Sequence, residues 1–392
     1  MNDFTESTMQ KTLEAKLARI LADPGCRDFL IADAKDADMA YGLSAPGRSP
    51  EHHSGEARFR TLQEYRELMR RVVRQGLVDI MLMSASSNEV LCLQERLFDG
   101  SPVTPTVRAN DTTDIWLAGG LGRYPHEPSR PFRTTTIDHI QCGRVACQPE
   151  ERGRGADLGL YSVTFNNDVD GDRETLAAYR AFRLEAEAKG FRHFLEVFDP
   201  NAPAEPPADV GRFLNDQIVR SLAGVTSAGR PLFLKIPYHG PAAMEALAAY
   251  DRSLVVGILG GSAGTTLDAF HMLWEAKRYG ARVALYGRKI NNAEDQLTFI
   301  RHLRAVADDE IAPPEAVRAY HGDLEGQGIA PHRSLDDDLV LTQTATSYAG
   351  TSRPRPAAAA PSTAPPGEPD FSKMSNAEKA RWNLERWRRI LG

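Results

Sequence analysis

The sequence alternates short apolar runs with amphipathic helical segments through most of its length. Eight runs are candidate strands, at residues 29–32, 78–83, 106–109, 158–165, 191–198, 232–236, 254–258 and 283–286. Helical patterns follow most of them, at residues 61–75, 88–98, 173–189, 209–222, 241–250, 265–279 and 293–306. Such alternation is typical of a parallel sheet, and eight units in about 280 residues predict an α/β fold of the (β/α)8 TIM barrel class. A doubly wound sheet is disfavoured because no GxGxxG motif opens the first helix.

Different patterns flank the predicted barrel, which occupies residues 29–308. Residues 1–28 predict a helical lead-in. Residues 309–350 predict a helical or irregular extension, with a helix at 313–320 and a solvated acidic turn at 336–338.

The last part of the chain differs in composition from the barrel. Residues 351–370 are rich in proline and alanine and predict an extended linker. Residues 371–392 predict a basic amphipathic helix, which Ser375 and Glu378 begin as a capping box. Two tryptophans on this helix need an apolar surface on which to pack. We expect it to dock on its own barrel, on a neighbouring subunit of a homo-oligomer, or on a separate partner.

Composition disfavours several functional classes. The net charge of −6 supplies no basic field for nucleic acid, and no apolar run approaches the roughly 18 residues of a membrane span. The first residues lack a signal-peptide core and the four cysteines lack CxxC spacing, which predicts free thiols in a reducing cytoplasm. The ten histidines show no HxxxH or HxH spacing, and the pair His52-His53 is expected to be solvated in a loop. No metal site and no cofactor are predicted.

Lys235 ends the sixth candidate strand, directly behind bulky apolar residues. Burying an ammonium ion costs several kcal/mol, so a lysine rarely serves packing at such a place. Burial is expected to lower the pKa of this amine and leave it free to attack a carbonyl. The alternative is a structural lysine that pairs with a buried carboxylate or extends to solvent.

Two glycine-bearing loops follow the seventh and eighth candidate strands. The first contains Gly260, Gly261 and Ser262, and the second contains Gly287 and Arg288. Barrels bind phosphate after these two strands, because backbone N–H groups approach the oxygens closely where no side chain intervenes. Arg288 can add a charge-assisted contact. Together the loops predict a phosphate site near the lysine.

The segments LFLKIPY, VVGILGGSAGTT and VALYGRKINNAED occur in an order that resembles the class I (Schiff-base) aldolases of the archaeal-type fructose-bisphosphate aldolase group. That group also takes in deoxyribose-phosphate aldolase-like enzymes and the autoinducer-processing thiolase. The resemblance spans residues 29–306. It implies a (β/α)8 barrel, a Schiff-base lysine at Lys235 and a substrate phosphate held by the two glycine loops.

The resemblance also implies an aspartate at the end of the first strand, in a motif similar to LDHG. Asp33 has that place here, and Ala34 stands where the family often has histidine. Asp33 is expected to orient a substrate hydroxyl or to handle protons near the imine. Asp36 and Asp38 are rivals that we expect to be solvated. Lys35 is a competing amine whose pKa the surrounding carboxylates would raise.

One departure from the family concerns the proton-transfer residue. Its members carry a tyrosine in the fourth strand, whereas the matching stretch here ends in Phe165. Tyr238, Glu196 and waters held by Asn166 are candidates to replace it, while Tyr161 is expected to be a core residue. Glu196, at the end of the fifth strand, is also a candidate buried partner for the strand-six lysine.

These features predict a metal-independent class I aldolase, an aldehyde-lyase. It would form a lysine Schiff base with a small phosphorylated ketose or oxo-sugar phosphate and cleave or form a C–C bond. The predicted catalytic residues are Lys235, Asp33 and Glu196. Two alternatives remain open: lysine-dependent transfer of the thiolase or transaldolase type, which needs a second acceptor pocket, and a non-catalytic barrel scaffold that binds a sugar phosphate.

Overall fold

The computed structural model describes residues 9–49, 59–113, 123–261 and 264–346, together with residues 374, 375, 377, 378, 381 and 382. The chain divides into two units, Met1–Gly350 and Thr351–Gly392. In the second unit, Glu378 Oε2 accepts hydrogen bonds from Ser375 N at 2.7 Å and from Ser375 Oγ at 2.6 Å, which is the predicted capping contact. The predicted linker and most of the predicted final helix lie outside the described residues.

Eight parallel strands of the first unit form a nearly closed barrel, as predicted. The described residues contain ten strands in all: β1 Leu30–Lys35, β2 Ile80–Met83, β3 Thr104–Arg108, β4 Asp111–Thr112, β5 Pro131–Phe132, β6 Leu158–Thr164, β7 Arg192–Phe198, β8 Leu234–Lys235, β9 Gly257–Leu259 and β10 Val283–Tyr286. The hairpin β4–β5 stands apart, and the other strands follow the order β8-β7-β6-β3-β2-β1-β10-β9. A parallel bridge between Ile236 and Ile258 joins the two ends of this row.

Helices alternate with the strands and continue after the last one. They are α1 Thr12–Ala22, α2 Asp38–Tyr41, α3 Leu62–Gln75, α4 Ala85–Asn88, α5 Ile137–Cys142, α6 Val169–Ala188, α7 Val210–Ala223, α8 Pro241–Tyr250, α9 Thr266–Arg278, α10 Arg288–Asn291, α11 Gln296–Ala307, α12 Pro313–Gly326 and α13 Leu335–Asp338. Among the described residues, none of the helices has the length and apolar character needed to cross a membrane.

The start and end of α3 illustrate how local sequence defines these helices. Thr61 and Glu64 form the capping box that their spacing predicts, and Gly76 ends the helix with a left-handed φ of 71°. Between them, one face packs against the barrel, because its apolar residues recur at helical spacing. The buried residues are Tyr65, Met69, Val72 and Val73.

Alternate residues of each barrel strand belong to different layers. One cluster fills the barrel interior and includes Leu30 and Ala32 of β1 with their counterparts on other strands, such as Leu160 and Phe194. The residues between them pack against the surrounding helices. The alternation places four polar side chains on the interior side, at residues 108, 162, 196 and 235. It places residues 33, 35, 161 and 165 on the side that faces the helices, so the two groups cannot share one site.

Helix α1 covers the amino-terminal end of the barrel. Its Leu13 and Leu17 join the interior cluster. Lys16 pairs with Asp79 at 2.8 Å, just before β2, and Thr12 N donates to Pro102 O at 3.0 Å, just before β3. The helix therefore seals the end of the barrel opposite to the carboxyl ends of the strands.

Two local predictions differ from the structure. The helix expected over 88–98 begins earlier, as α4, continues as a π-helical segment at Glu89–Gln94 and ends there. The acidic turn at 336–338 was expected to be solvated, but Asp338 is buried. Its carboxylate accepts a hydrogen bond from Thr266 N at 2.7 Å and lies 3.0 Å from His321 Nε2. It therefore provides an acceptor for a backbone N–H group in the first turn of α9.

Candidate active site

Lys235 and Glu196 form a buried pair at the carboxyl ends of β8 and β7. The two residues are register partners, and Lys235 Nζ lies 2.6 Å from Glu196 Oε1. Lys235 is 8% exposed and Glu196 is 2% exposed. The predicted contact between them is confirmed. A purely structural lysine would make the same contact, so the surroundings of the pair carry the functional argument.

Arg108, at the end of β3, connects this pair to a second carboxylate. Its Nη1 lies 3.5 Å from Glu196 Oε2 and 3.4 Å from Asp36 Oδ2, and it donates to Ser162 Oγ at 3.2 Å. Ser162 in turn donates to Glu196 Oε2 at 2.6 Å. A buried guanidinium between two carboxylates offsets the cost of burying them. Sequence reasoning missed Arg108 and Ser162, although a charged residue inside an apolar strand was a usable signal.

Asp33 lies elsewhere, and the expectations for its neighbours were wrong. Asp33 and Lys35 form an ion pair at 3.0 Å on the helix-facing side of β1, with both side chains fully buried. Burial lowers the pKa of Lys35 in spite of Asp33, where the sequence predicted an increase, and burial raises the pKa of Asp33. Asp36, expected to be solvated, lines the cavity beside Lys235. Strand β1 continues to Lys35, beyond the apolar run that predicted it. Asp36, three residues after Asp33, therefore has the inward position.

Of the candidates to replace the strand-four tyrosine, Glu196 lines the cavity, whereas Tyr238 and Asn166 do not. Phe165 and Tyr161 belong to the helix-facing core, and Tyr161 stacks on Phe182 with ring centroids 4.5 Å apart. The Tyr238 hydroxyl donates to Glu275 Oε2 at 2.8 Å, on α9. The Asn166 side chain holds the loop after β7, donating to Asn201 Oδ1 at 3.0 Å and accepting from Ala202 N at 2.8 Å.

The hydroxyl group that lies beside Glu196 belongs to Ser162 on β6. Phe165 directly follows β6, and Ser162 lies three residues before it on the opposite face, which directs the serine into the barrel.

The glycines after β9 and β10 lie where close approach excludes side chains. A Cβ at Gly260 would overlap the ring of Tyr286, and one at Gly287 would lie 2.5 Å from Ala34 O on β1. Gly261 has a left-handed φ of +63°. Gly260, Gly261, Gly287 and Arg288 all line the same cavity as Lys235, and the predicted Ser262 lies outside the described residues.

One cavity at the carboxyl ends of the strands joins these groups. The cavity volume is about 90 Å³. Its charged and amide groups come from Asp36, Arg108, Glu196, Lys235, Arg288 and Asn291, and two tyrosines, apolar side chains and glycine backbone form the remaining walls. A small cavity with a few convergent charged groups suits a small polar ligand.

Two histidines that could have served chemistry have structural partners. His193 Nε2 lies 2.8 Å from the Tyr179 hydroxyl, between β7 and α6. His239 Nε2 lies 2.7 Å from Asp199 Oδ1 and joins the loops after β8 and β7. Both therefore have structural hydrogen bonds, and His52-His53 lies outside the described residues.

One group of potential metal ligands occurs among the described residues. The ligand atoms of Cys142, Cys147 and Glu151 lie within 4.8 Å of one another, in the connection between β5 and β6. Arg144 already holds both oxygens of the glutamate at 2.6 Å. None of these residues lines the Lys235 cavity.

A nearly closed parallel barrel places this chain in the TIM-barrel class, and the buried lysine–glutamate pair marks a candidate site at the carboxyl ends of its strands. The chain is similar in fold to solved archaeal-type, Schiff-base fructose-1,6-bisphosphate aldolases, in agreement with the resemblance found in the sequence. No protein-family model matches the chain, and no curated protein matches it in sequence.

Three solved structures illustrate the similarity. An archaeal fructose 1,6-bisphosphate aldolase has 14% identity and a TM-score of 0.52, and the match covers 76% of this chain and 99% of that one. A Schiff-base-forming fructose-1,6-bisphosphate aldolase has 17% identity and a TM-score of 0.52, with 75% and 99% covered. The fructose-bisphosphate aldolase of Slackia heliotrinireducens DSM 20476 has 14% identity and a TM-score of 0.55, with 81% and 94% covered.

Proposed function

We propose that this protein is a class I aldolase in which Lys235 forms a Schiff base with a small phosphorylated ketose or oxo-sugar phosphate. The observation that carries the proposal is the buried Lys235–Glu196 pair, 2.6 Å apart and facing a cavity bounded by glycine loops. Solved proteins of similar fold are Schiff-base fructose-1,6-bisphosphate aldolases, which supports the same chemistry here. A lysine kept for stability alone would need no cavity in front of it.

Glu196 is the proposed proton-transfer residue for imine formation. Its carboxylate takes a proton from the Lys235 ammonium, and the free amine then adds to the substrate carbonyl. The carbinolamine that results loses its hydroxyl as water once Glu196 returns the proton, which leaves an iminium ion. Ser162 and Arg108 hold the second carboxylate oxygen, so Glu196 keeps its position through both steps.

Asp36 replaces Asp33 in the proposed cleavage step. It removes the proton from the substrate hydroxyl next to the breaking bond, and the C–C electron pair moves onto the iminium to give an enamine and a free aldehyde. The enamine is protonated on carbon and hydrolysed, which restores Lys235. Asp36 lines the cavity and is held by Arg108 at 3.4 Å, whereas Asp33 lies behind the strand.

The glycine loops are the proposed phosphate site. Gly260, Gly261 and Gly287 offer backbone without side chains, and Arg288 adds a positive charge at the same wall of the cavity. Ser262 is retained as a predicted contributor from the same loop. Holding the phosphate in this way fixes which carbonyl meets the amine.

Borohydride trapping tests the proposal directly. Incubation with a panel of phosphorylated ketones and borohydride should leave a stable secondary amine on Lys235, which peptide mass spectrometry locates. Lys235→Ala should abolish turnover and the adduct while leaving the fold intact, and Lys289→Ala is the matched control that should keep both. An adduct on Lys35 or Lys289 instead, or ligand binding without any adduct, would contradict the proposed chemistry.

We also expect the reaction to proceed without a metal, because the iminium ion already accepts the electrons of the breaking bond. Dialysis against EDTA should leave aldehyde release unchanged. Loss of activity that zinc or another divalent ion restores would show that this part of the proposal is wrong.

A further inference from the structure

The end of the first unit returns to the open side of the barrel. Residues 339–346, here called the return segment, follow α13 and cross the start of α9. Thr265 Oγ1 donates to Val340 O at 2.8 Å, and Asp268 accepts from Thr342 N at 2.6 Å and from Gln343 N at 3.0 Å. Burial alone would raise the pKa of Asp268, but these hydrogen bonds hold it below the ordinary value. A charged carboxylate therefore fastens the segment to α9.

Thr346, the last described residue of the return segment, makes two bonds to the loop after β8. Tyr238 N donates to Thr346 Oγ1 at 2.6 Å, and Thr346 N donates to Tyr238 O at 2.9 Å. Thr346 is 4% exposed. Tyr238 follows Lys235 by three residues, so the segment binds the loop that begins at the proposed nucleophile.

The methyl group of the same threonine faces the loop after β9. Its Cγ2 lies 3.4 Å from the position that a Cβ at Gly261 would have. Gly261 lines the cavity and belongs to the proposed phosphate site. The hydroxyl of this buried side chain thus binds the loop after β8, and its methyl lies beside Gly261 in the loop after β9.

We propose that Thr346 is a positioning residue, through which the return segment holds the loop after β8 against the loop after β9. This contact sets the distance between Lys235 and the substrate phosphate, a consequence that rests on the proposed function. The holding of the two loops itself does not depend on it.

Three variants of the full-length chain separate these contributions. Thr346→Val keeps the shape but leaves Tyr238 N without its acceptor, and Thr346→Ser keeps the acceptor but loses the methyl. Thr344→Val makes the same chemical change at an exposed position of the same segment. Amide hydrogen exchange of residues 236–240 should become faster in Thr346→Val and remain close to wild type in Thr346→Ser. Exchange of residues 259–261 should become faster in both variants, and both regions should be unchanged in Thr344→Val.

Borohydride trapping of two probes then measures the consequence for the site. For Thr346→Val, the half-saturating concentration of dihydroxyacetone phosphate should rise about tenfold, the size of one lost buried hydrogen bond. That of unphosphorylated dihydroxyacetone should stay within about twofold, because it makes no use of the glycine loop. Thermal unfolding of each variant identifies a general loss of stability.

Several results would overturn the inference. Equal exchange in Thr346→Val and Thr344→Val would show that the two loops do not depend on Thr346. If the half-saturating concentrations of both ketones rise equally in Thr346→Val, Thr346 has a general structural role rather than a positioning role. If wild-type Lys235 traps neither ketone, the proposed function fails, and the exchange measurement still decides whether Thr346 holds the loops.

Discussion

At the scale of single residues, buried charges in this barrel are compensated in two separate groups. The first group joins Lys235, Glu196 and Arg108 inside the barrel and faces a cavity. The second is the pair of Asp33 and Lys35, which faces the helices and has no access to that cavity. Both groups contain a lysine that is almost fully buried, so burial alone does not identify the proposed nucleophile. Its access to a cavity does.

His193 should make the stability of the protein depend on pH. Burial lowers its pKa from 6.5 to about 3, with Arg183 adding to the effect. Between these values the unfolded chain binds a proton that the folded chain does not, so stability falls as the pH falls through this window, by up to about 1.4 kcal/mol per pH unit. The free energy of unfolding by urea, measured from pH 7 to pH 4, should show this slope.

The variant His193→Gln should have a shallower slope over the same range, whatever its absolute stability. His126→Gln removes an exposed histidine and is the matched control. Parallel curves for wild type and His193→Gln would show that another group causes the acid sensitivity.

The sequence predicts those parts of the candidate site that depend only on the order of the strands along the chain. Lys235, Glu196 and the glycine loops follow strands whose apolar runs are distinct, and parallel strands bring their carboxyl ends together. The inward aspartate was not predictable in this way, because a shift of one residue in a strand reverses the face of every side chain. The run before Asp33 gave no sign that β1 continues to Lys35. Arg108 was missed because its partners are distant in sequence: Asp36 follows β1 and Glu196 lies on β7.

At the scale of elements, the strands β1 and β10 meet at a glycine. Gly287 follows β10, and its Cα faces the Ala34 carbonyl of β1 so closely that a methyl group would lie 2.5 Å from the oxygen. The barrel closes tightly there, beside the proposed phosphate site. The short helix α10 begins directly afterwards and carries Arg288 into the cavity wall.

Gly287→Ala should therefore destabilise the barrel by roughly 1–3 kcal/mol, the usual cost of overpacking. Gly322→Ala is the matched control within α12, where a Cβ meets no heavy atom within 4 Å. That change should stabilise the protein by about 0.5–1 kcal/mol, because glycine is a poor helix residue. Urea midpoints with unchanged m-values measure both effects. If Gly287→Ala leaves the free energy of unfolding unchanged, β1 and β10 can separate at little energetic cost.

At the scale of the whole molecule, the chain has more than a barrel. Matches to the solved aldolases cover 94–99% of those chains but only 75–81% of this one. The residues from 351 onward form a unit of their own, and their predicted amphipathic helix has no role in the proposed chemistry. Assembly or recruitment is the function that its composition suggests.

Removing residues 351–392 should leave borohydride trapping at Lys235 unchanged and alter the mass in solution or the partners retained. Size-exclusion chromatography with light scattering and affinity capture of both chains would measure this. A longer deletion from residue 339 also removes the return segment and should weaken trapping of the phosphorylated ketone. If the shorter deletion keeps the same mass and the same partners, the tail has neither role.

Helix α1 has a consequence for the order in which products leave. Because Leu13 and Leu17 fill the amino-terminal end of the barrel, the substrate reaches Lys235 and the products leave it through the carboxyl side. In the proposed cleavage, the aldehyde fragment is free while the other fragment is still bonded to the lysine. The aldehyde therefore departs first, and the covalent fragment occupies the shared exit until hydrolysis frees it. In the proposed reaction, product release is therefore sequential and uses a single side of the barrel.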